Sequence, residues 1–221
     1  MSEDCISSRD ILLRAAIEAF GQHGRDGAST RQIATAAGMP MSQITYHFGG
    51  KDGLYLACAQ YIADDFISNM AAAIGHDLSI PQTPAEARVA LIALIRTMVH
   101  MMLRKKTRAI SHFILREQAE PTEAFAIIYN CMMGRAIARV RELLGIISEN
   151  RLTEAQLNVR TMALIGQVIV FRAANASVLR TTGWSEIGPE QNDEIADAII
   201  AHVNAICDAI ERPQPERKEV L

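Results

Sequence analysis

Little glycine or proline, few aromatics and no long apolar run set the first limits on this chain. Its 221 residues include 13 glycines and 7 prolines, few for the many turns of an all-β protein, and runs of β-branched residues are sparse. No uninterrupted apolar stretch reaches the roughly 20 residues that a helix needs to cross a bilayer. The acidic, polar start MSEDCISSRD has no signal-peptide pattern, so a cytoplasmic protein is expected. Cys5, Cys58, Cys131 and Cys207 lie far apart with no CxxC pair, which argues for reduced thiols and against a zinc site or disulfide framework. Excess positive charge is also missing. Lys and Arg total 22 against 25 Asp and Glu, a formal net charge of −3. Residues 1–60 hold Arg9, Arg14, Arg25, Arg31 and Lys51 against six acids. Any nucleic-acid footprint must therefore be local. No nucleophile–base set, phosphate-binding glycine loop or metal-spaced cluster is visible, so neither an enzyme, a metal nor a cofactor is expected.

What is present is helical periodicity. Hydrophobic residues make up 49% of the chain, enough for a sizeable core. Leu12, Ala15, Ala16, Ala19 and Phe20 follow a helical stripe over 8–22, which Gly24 and Gly27 break. Leu54, Ala57, Cys58 and Tyr61 predict a helix from Lys51 to about Ile74. Thr83-Pro84-Ala85-Glu86 and Thr153-Glu154-Ala155-Gln156 read as capping boxes opening helices over 84–105 and 154–181. Further helices are expected over 107–118 and 122–144, the first ending before Pro121. From Pro189 onward, Ile195, Ile199, Val203, Ile206 and Ile210 form a continuous ridge. The resulting fold class is all-α, with about nine helices and a disordered tail at 213–221.

The most informative segment is TRQIATAAGMPMSQITYHFGGK, 30–51. Ile33, Ala34 and Ala37 can bury one face of a short helix, and Ile44 and Phe48 one face of a second. Small residues allow close approach, and Gly38 suits a left-handed helix stop. This is helix-turn-helix logic, whose second helix enters the DNA major groove.

With Ile11-Leu12, Ala15-Ala16, Phe20, Gly24, Thr30, Ile33-Ala34, Ala37-Gly38, Ile44, Tyr46-His47-Phe48, Lys51 and Leu54 in place, the chain resembles the TetR family of transcriptional regulators. ITYHFGGKDGLYLACAQYIAD, FILREQAEPTEAF and ALIGQVIVFRAAN…LRTTGW are similar to its CecR branch, so the resemblance covers nearly the whole chain. Pro40 and Ser42 replace a usual serine and glycine, and Thr45 a common tyrosine. No generic operator sequence can therefore be borrowed.

The resemblance implies a three-helix DNA-binding domain at 1–54 and a larger ligand-binding and dimerisation domain at 55–212. Thr30 can cap a helix or meet a phosphate, and Arg31 beside it is suited to a phosphate contact. Met41, Ser42, Gln43 and Thr45 face away from Ile44; Gln43 has the donor–acceptor pair that reads adenine. Tyr46 and His47 resemble the family's backbone-contacting pair, and Lys51 can share a phosphate with the amides of its own helix start. One such unit makes few contacts, so a homodimer on a palindromic double-stranded operator is expected, joined through the 154–181 and 189–212 helices.

Met98, Met101, Met102, Met132 and Met133, with Phe113, Tyr129 and Phe171, read as ordinary core residue by residue. As a group they suit an adaptable apolar pocket, with His112, Arg116 and Arg172 as polar anchors. The resemblance implies an inducer pocket there whose ligand shifts the DNA-reading heads. The leading expectation is a ligand-responsive repressor released by a small, largely apolar molecule. Two alternatives remain: a helical small-molecule-binding interaction protein with weak or vestigial DNA binding, and, far behind, an enzyme built on His112, Arg116 and Glu117.

Overall fold

The computed structural model describes residues 7–74 and 81–211, without the side chains of 70–74. The expected tail at 213–221 and the helix stop at Gly75 lie outside them. Every regular element among the described residues is helical. The helices are α1 Ser8–Gly27, α2 Thr30–Ala36, α3 Ser42–Phe48, α4 Lys51–Ile74, α5 Pro84–Leu103, α6 Arg108–Ala119, α7 Glu123–Ile128, α8 Gly134–Ile147, α9 Glu154–Ala173, α10 Asn175–Thr182 and α11 Pro189–Glu211. A 3₁₀ turn, Lys105–Thr107, precedes α6, and a π-helical turn, Tyr129–Met133, joins α7 to α8.

The chain forms two compact units. Among the described residues the first contains 7–73 and 104–135; the second, 74, 81–103 and 136–211. The core of the first unit is contributed by Leu12, Leu13, Ala16, Ile17 and Phe20 of α1, Ile33 of α2, Ile44 of α3, Leu54, Tyr55, Cys58 and Ile62 of α4, and Phe113 of α6. Periodicity at three and four residues puts each set on one helix face. Gly21 allows α1 and α6 to touch: a Cβ added there would stand 2.6 Å from the Ala109 carbonyl oxygen. The expected break of α1 falls at Gly24, where φ is +74°, and a last short turn runs on beyond it to Gly27.

In the second unit α5 and α11 run antiparallel. Arg88 meets Asn204 and Asp208, Arg96 meets Asp197, and His100 approaches Asp193, so partners descend as positions rise. The α9 box forms in both directions, with the Thr153 hydroxyl accepting from Gln156 N and the Gln156 side chain from Thr153 N, whereas at α5 the Thr83 hydroxyl accepts from Glu86 N and the Glu86 carboxylate from Gln82 N. The single helix expected over 154–181 is two. Ala174 leaves helical geometry, and α9 and α10 are bent by 78°. The Arg172 guanidinium, next to that break, donates twice to the Met102 carbonyl at the end of α5.

The Ile195–Ile210 ridge, expected to face a second subunit, is mostly buried within the one chain, where α11 packs on α5 and α9. Only Ile206 is half-exposed. Among the described residues no single helix is long and apolar enough to cross a membrane.

Candidate DNA-reading face and effector residues

Helix α2 is opened by Ser29. The Ser29 hydroxyl accepts from Gln32 N at 3.1 Å, and the Gln32 side chain accepts from Ser29 N at 3.2 Å. Of the two uses open to Thr30, the cap belongs to Ser29, because Gln32, three positions on, pairs with Ser29. The Thr30 hydroxyl instead lies 3.7 Å from Met41 Sδ, across the turn. Gly38, at φ +65°, ends α2 with Met39 N donating to Ala34 O. Pro40 sits before α3, and its carbonyl accepts from Gln43 N.

Helix α3 buries one side chain fully, Ile44 at 1% exposure. Met41 is 55% exposed and Tyr46 81%. Ser42 and Thr45 are exposed, and Gln43 and His47 are half-buried. The Tyr46 and His47 rings meet edge-on, with centroids 5.0 Å apart. Phe48, read from the sequence as core, packs half-buried against the core cluster and carries the Arg9 guanidinium 5.5 Å from its ring centroid. That contact crosses 39 positions, and no local spacing announces it. Gly49, at φ +73°, closes α3 with its N–H on Thr45 O. Arg31 is exposed on α2. Lys51 opens α4 and donates to the Asp26 carbonyl at 3.3 Å; alongside, Arg25 pairs with Asp52 at 2.7 Å.

The candidate effector residues fall into two groups, one per unit. In the second unit, Met98 is buried, while Met101, Met102, Phe171 and Arg172 are half-buried. The Arg172–Met102 contact ties the ends of α5 and α9 together. In the first unit, Phe113 is fully buried and stacks on Tyr55 at 4.6 Å, so it is core. Met132 is also buried; His112 and Met133 are half-buried, and Gln118 contacts the Met133 sulfur. Tyr129 is exposed beside Phe125. Arg116 is engaged by two carbonyls of α1.

Tyr129, Met132 and Met133 share the π-helical turn, a distortion that concentrates at functional sites. An open cleft of about 610 Å³ lies elsewhere, at the α10–α11 turn, lined by Trp184, Glu186, Glu190 and Gln191 among others. None of the effector candidates lines it. Among the described residues no group of three His, Cys, Asp or Glu side chains is placed to hold a metal ion.

Residues 12–58 match the model of bacterial regulatory proteins of the tetR family. Residues 87–210 match the C-terminal domain of the HTH-type transcriptional dual regulator CecR. The chain is 32% identical over 200 residues to the CecR protein of Shigella flexneri, covering 88% of this chain and 89% of that one. A crystal structure of AibR in complex with isovaleryl coenzyme A and operator DNA has the same fold, with a TM-score of 0.68, 18% identity, and coverage of 89% of this chain and 97% of AibR. A TetR-like transcriptional regulator from Rhodococcus sp. RHA1 aligns with a TM-score of 0.63 at 20% identity, covering 91% and 96% of the two chains. With the helix-turn-helix and the C-terminal domain both matched in their expected order, the chain belongs to the TetR family of bacterial regulators and to its CecR-related branch.

Proposed function

We propose that the protein is a dimeric, effector-responsive transcriptional repressor acting on DNA in the cytoplasm. Residues 1–54 would read a palindromic operator, and residues 55–212 would bind the effector and the second subunit. This division is by task and need not follow the compact units, since α4, α6 and α7 pack with the head. The observation that carries the reading is the α3 face. Met41, Ser42, Thr45 and Tyr46 are exposed around a single buried anchor, Ile44. Gln43 contacts adenine in this proposal, for about 1–3 kcal/mol of discrimination. Thr45 meets a thymine methyl, while Thr30, Arg31, Tyr46, His47 and Lys51 donate to phosphates.

The dimer face differs from the one the Ile195–Ile210 ridge suggests. Helix α9 exposes Val159, Met162, Gly166 and Val170, and α11 exposes Ala198, Ala201, Ala205 and Ala209. Such small, apolar faces let two subunits approach closely, and a twofold axis would present two reading helices. The effector is a small, largely apolar molecule taken up by the methionine- and aromatic-rich segments. It releases DNA only by binding the DNA-incompetent state more tightly. The neighbour crystallised with isovaleryl coenzyme A and operator DNA supports this pairing of functions.

A second reading, an interaction protein with weak DNA binding, draws on the balanced charge of residues 1–60 and the neutralisation of Arg25 by Asp52. Fluorescence anisotropy of labelled DNA from the gene's own upstream region, against scrambled DNA at fixed salt, separates the two. Preference for the native duplex, lost in Tyr46→Ala, is expected. Equal, weak binding to both duplexes would sink the repressor reading.

A further inference from the structure

Two adjacent side chains at the end of α6 grip the chain on either side of the helix-turn-helix. Arg116 takes the entry. Its Nη2 donates to the Gln22 carbonyl at 3.0 Å and its Nε to the Gly21 carbonyl at 3.4 Å. These carbonyls lie just before the Gly24 kink that sends the chain toward α2. Gly24 leaves room for the guanidinium, since a Cβ there would stand 3.3 Å from Nη1.

Glu117 takes the exit. Its Oε1 accepts from the Tyr55 hydroxyl at 2.6 Å, in α4, one turn beyond Lys51. Its Oε2 accepts from both the N–H and the hydroxyl of Thr122, at 3.1 and 2.9 Å. Thr122 is also the N-cap of α7. Glu117 is 2% exposed, and the Tyr55 ring is fixed against the face of Phe113 and beside Phe20.

A carboxylate buried this deeply is tolerated because both oxygens are satisfied. Stability alone gives little reason to keep it, since well-packed apolar groups of similar volume often do as well as buried charge. Its partners, by contrast, are specific: one segment leaving the reading head and one opening the next helix. Helix α6 thus touches the head's entry through Gly21–Gln22, its exit through Tyr55, and α7 through Thr122.

We propose that Arg116 and Glu117 are positioning residues, forming a clamp through which α6 fixes the orientation of the helix-turn-helix. The proposal rests on the DNA-reading function above. Neither residue touches DNA in it. Their contribution is to hold α2 and α3 in the arrangement that DNA selects, and to tie that arrangement to the α6–α7 corner.

The variants are Tyr55→Phe, Arg116→Met and Glu117→Gln in the full chain, with Arg116→Lys as the conservative rescue. Two readouts are made at a temperature where each variant is fully folded. The first is amide exchange of DNA-free protein. Exchange across α2 and α3 is expected to quicken more than across the α1 core from Leu12 to Phe20. The second is the affinity for the labelled upstream duplex over a salt series. Affinity is expected to fall about tenfold or more with an unchanged salt slope, because no phosphate contact is removed. Arg116→Lys is expected to recover part of the loss.

A purely structural role predicts a lower melting temperature, uniformly faster exchange and affinity within twofold of wild type. That combination overturns the clamp. If Glu117→Gln does not fold, Tyr55→Phe and Arg116→Met decide, since both leave the carboxylate in place. If wild-type protein shows no preference for the upstream duplex, the DNA-reading function fails, while the exchange measurement still decides the clamp.

Discussion

Replacing Gly21 by alanine tests the packing of α1 on α6 most sharply. Alanine should help a helix, by about 1 kcal/mol relative to glycine. At this position the new Cβ would stand 2.6 Å from the Ala109 carbonyl oxygen, 3.2 Å from its carbonyl carbon and 3.2 Å from its Cα. All three are backbone atoms of a second helix, so no side chain can swing away. Reaching ordinary contact requires the two backbones to part by roughly 0.8 Å, enough to forfeit a quarter to a half of the dispersion well at each contact along the seam. Overpacking costs about 1–3 kcal/mol, and with backbone on both sides of the contact the upper part of that range applies, about 2–3 kcal/mol. Net of the helix gain, Gly21→Ala is expected to destabilise the chain by about 1–2 kcal/mol, lowering the melting temperature by about 2–8 °C for a chain of this size.

The matched control is Gly166→Ala. Gly166 is exposed in the middle of α9, and an added Cβ there meets nothing within 4 Å. The same chemical change should stabilise by about 0.5–1 kcal/mol in the dilute chain. Urea unfolding followed by circular dichroism reads both. If Gly21→Ala proves as stable as wild type while Gly166→Ala is stabilised as expected, the close approach of α1 and α6 is wrong.

Ser29→Ala removes the capping box of α2 and is expected to cost about 1 kcal/mol by the same urea assay. Lys51→Ala is expected to weaken operator binding and to reduce the magnitude of the salt slope by about 1, as the loss of one phosphate contact requires. The Tyr55 hydroxyl is held well above its ordinary value, first by burial and then by its bond to Glu117. The folded state thus holds that proton more tightly than the unfolded chain, where tyrosine titrates near 10. Its contribution is complete below about pH 10 and is lost as pH rises further, so Tyr55→Phe should flatten the alkaline fall in urea midpoint. Burial also pushes the Cys207 thiol up to about 11 and Cys58 higher still, while Cys131 is half-exposed. Alkylation at neutral pH, mapped by mass spectrometry, should label Cys131 before either of the other two.

Much of the helical framework could be read from local chemistry. Thr83 and Thr153 announced the starts of α5 and α9 through the residue three positions on. Gly38 marked the turn before α3, and the start of α4 at Lys51 followed from its stripe. Ser29 carried the same capping signature through Gln32, a local signal that the reading of Thr30 overlooked. Other features had no local signal. The break between α9 and α10 falls at Ala173–Asn175, with neither glycine nor proline, beside the Arg172–Met102 contact 70 positions apart. The π-helical turn at Tyr129–Met133 leaves only the small Gly134 as a trace, where a Cβ would meet the Tyr129 carbonyl oxygen at 3.0 Å. The Ile195–Ile210 ridge was plain as a ridge, but periodicity does not say whether a face meets its own chain or another. The Arg116–Glu117 clamp joins residues 62 and 94 positions away, beyond any spacing rule.

The single anchor of α3 bears on how this protein can change over generations. Ile44 alone seats the helix fully, between left-handed glycines at 38 and 49. Surface substitutions away from caps and cores usually shift stability by no more than about 0.5 kcal/mol. Met41, Ser42, Thr45 and Tyr46 can therefore vary with little penalty to the scaffold. A duplicated gene could acquire a new recognition sequence by drift at a handful of codons while its product still folds. Pro40, Ser42 and Thr45 all lie on or beside that tolerant surface.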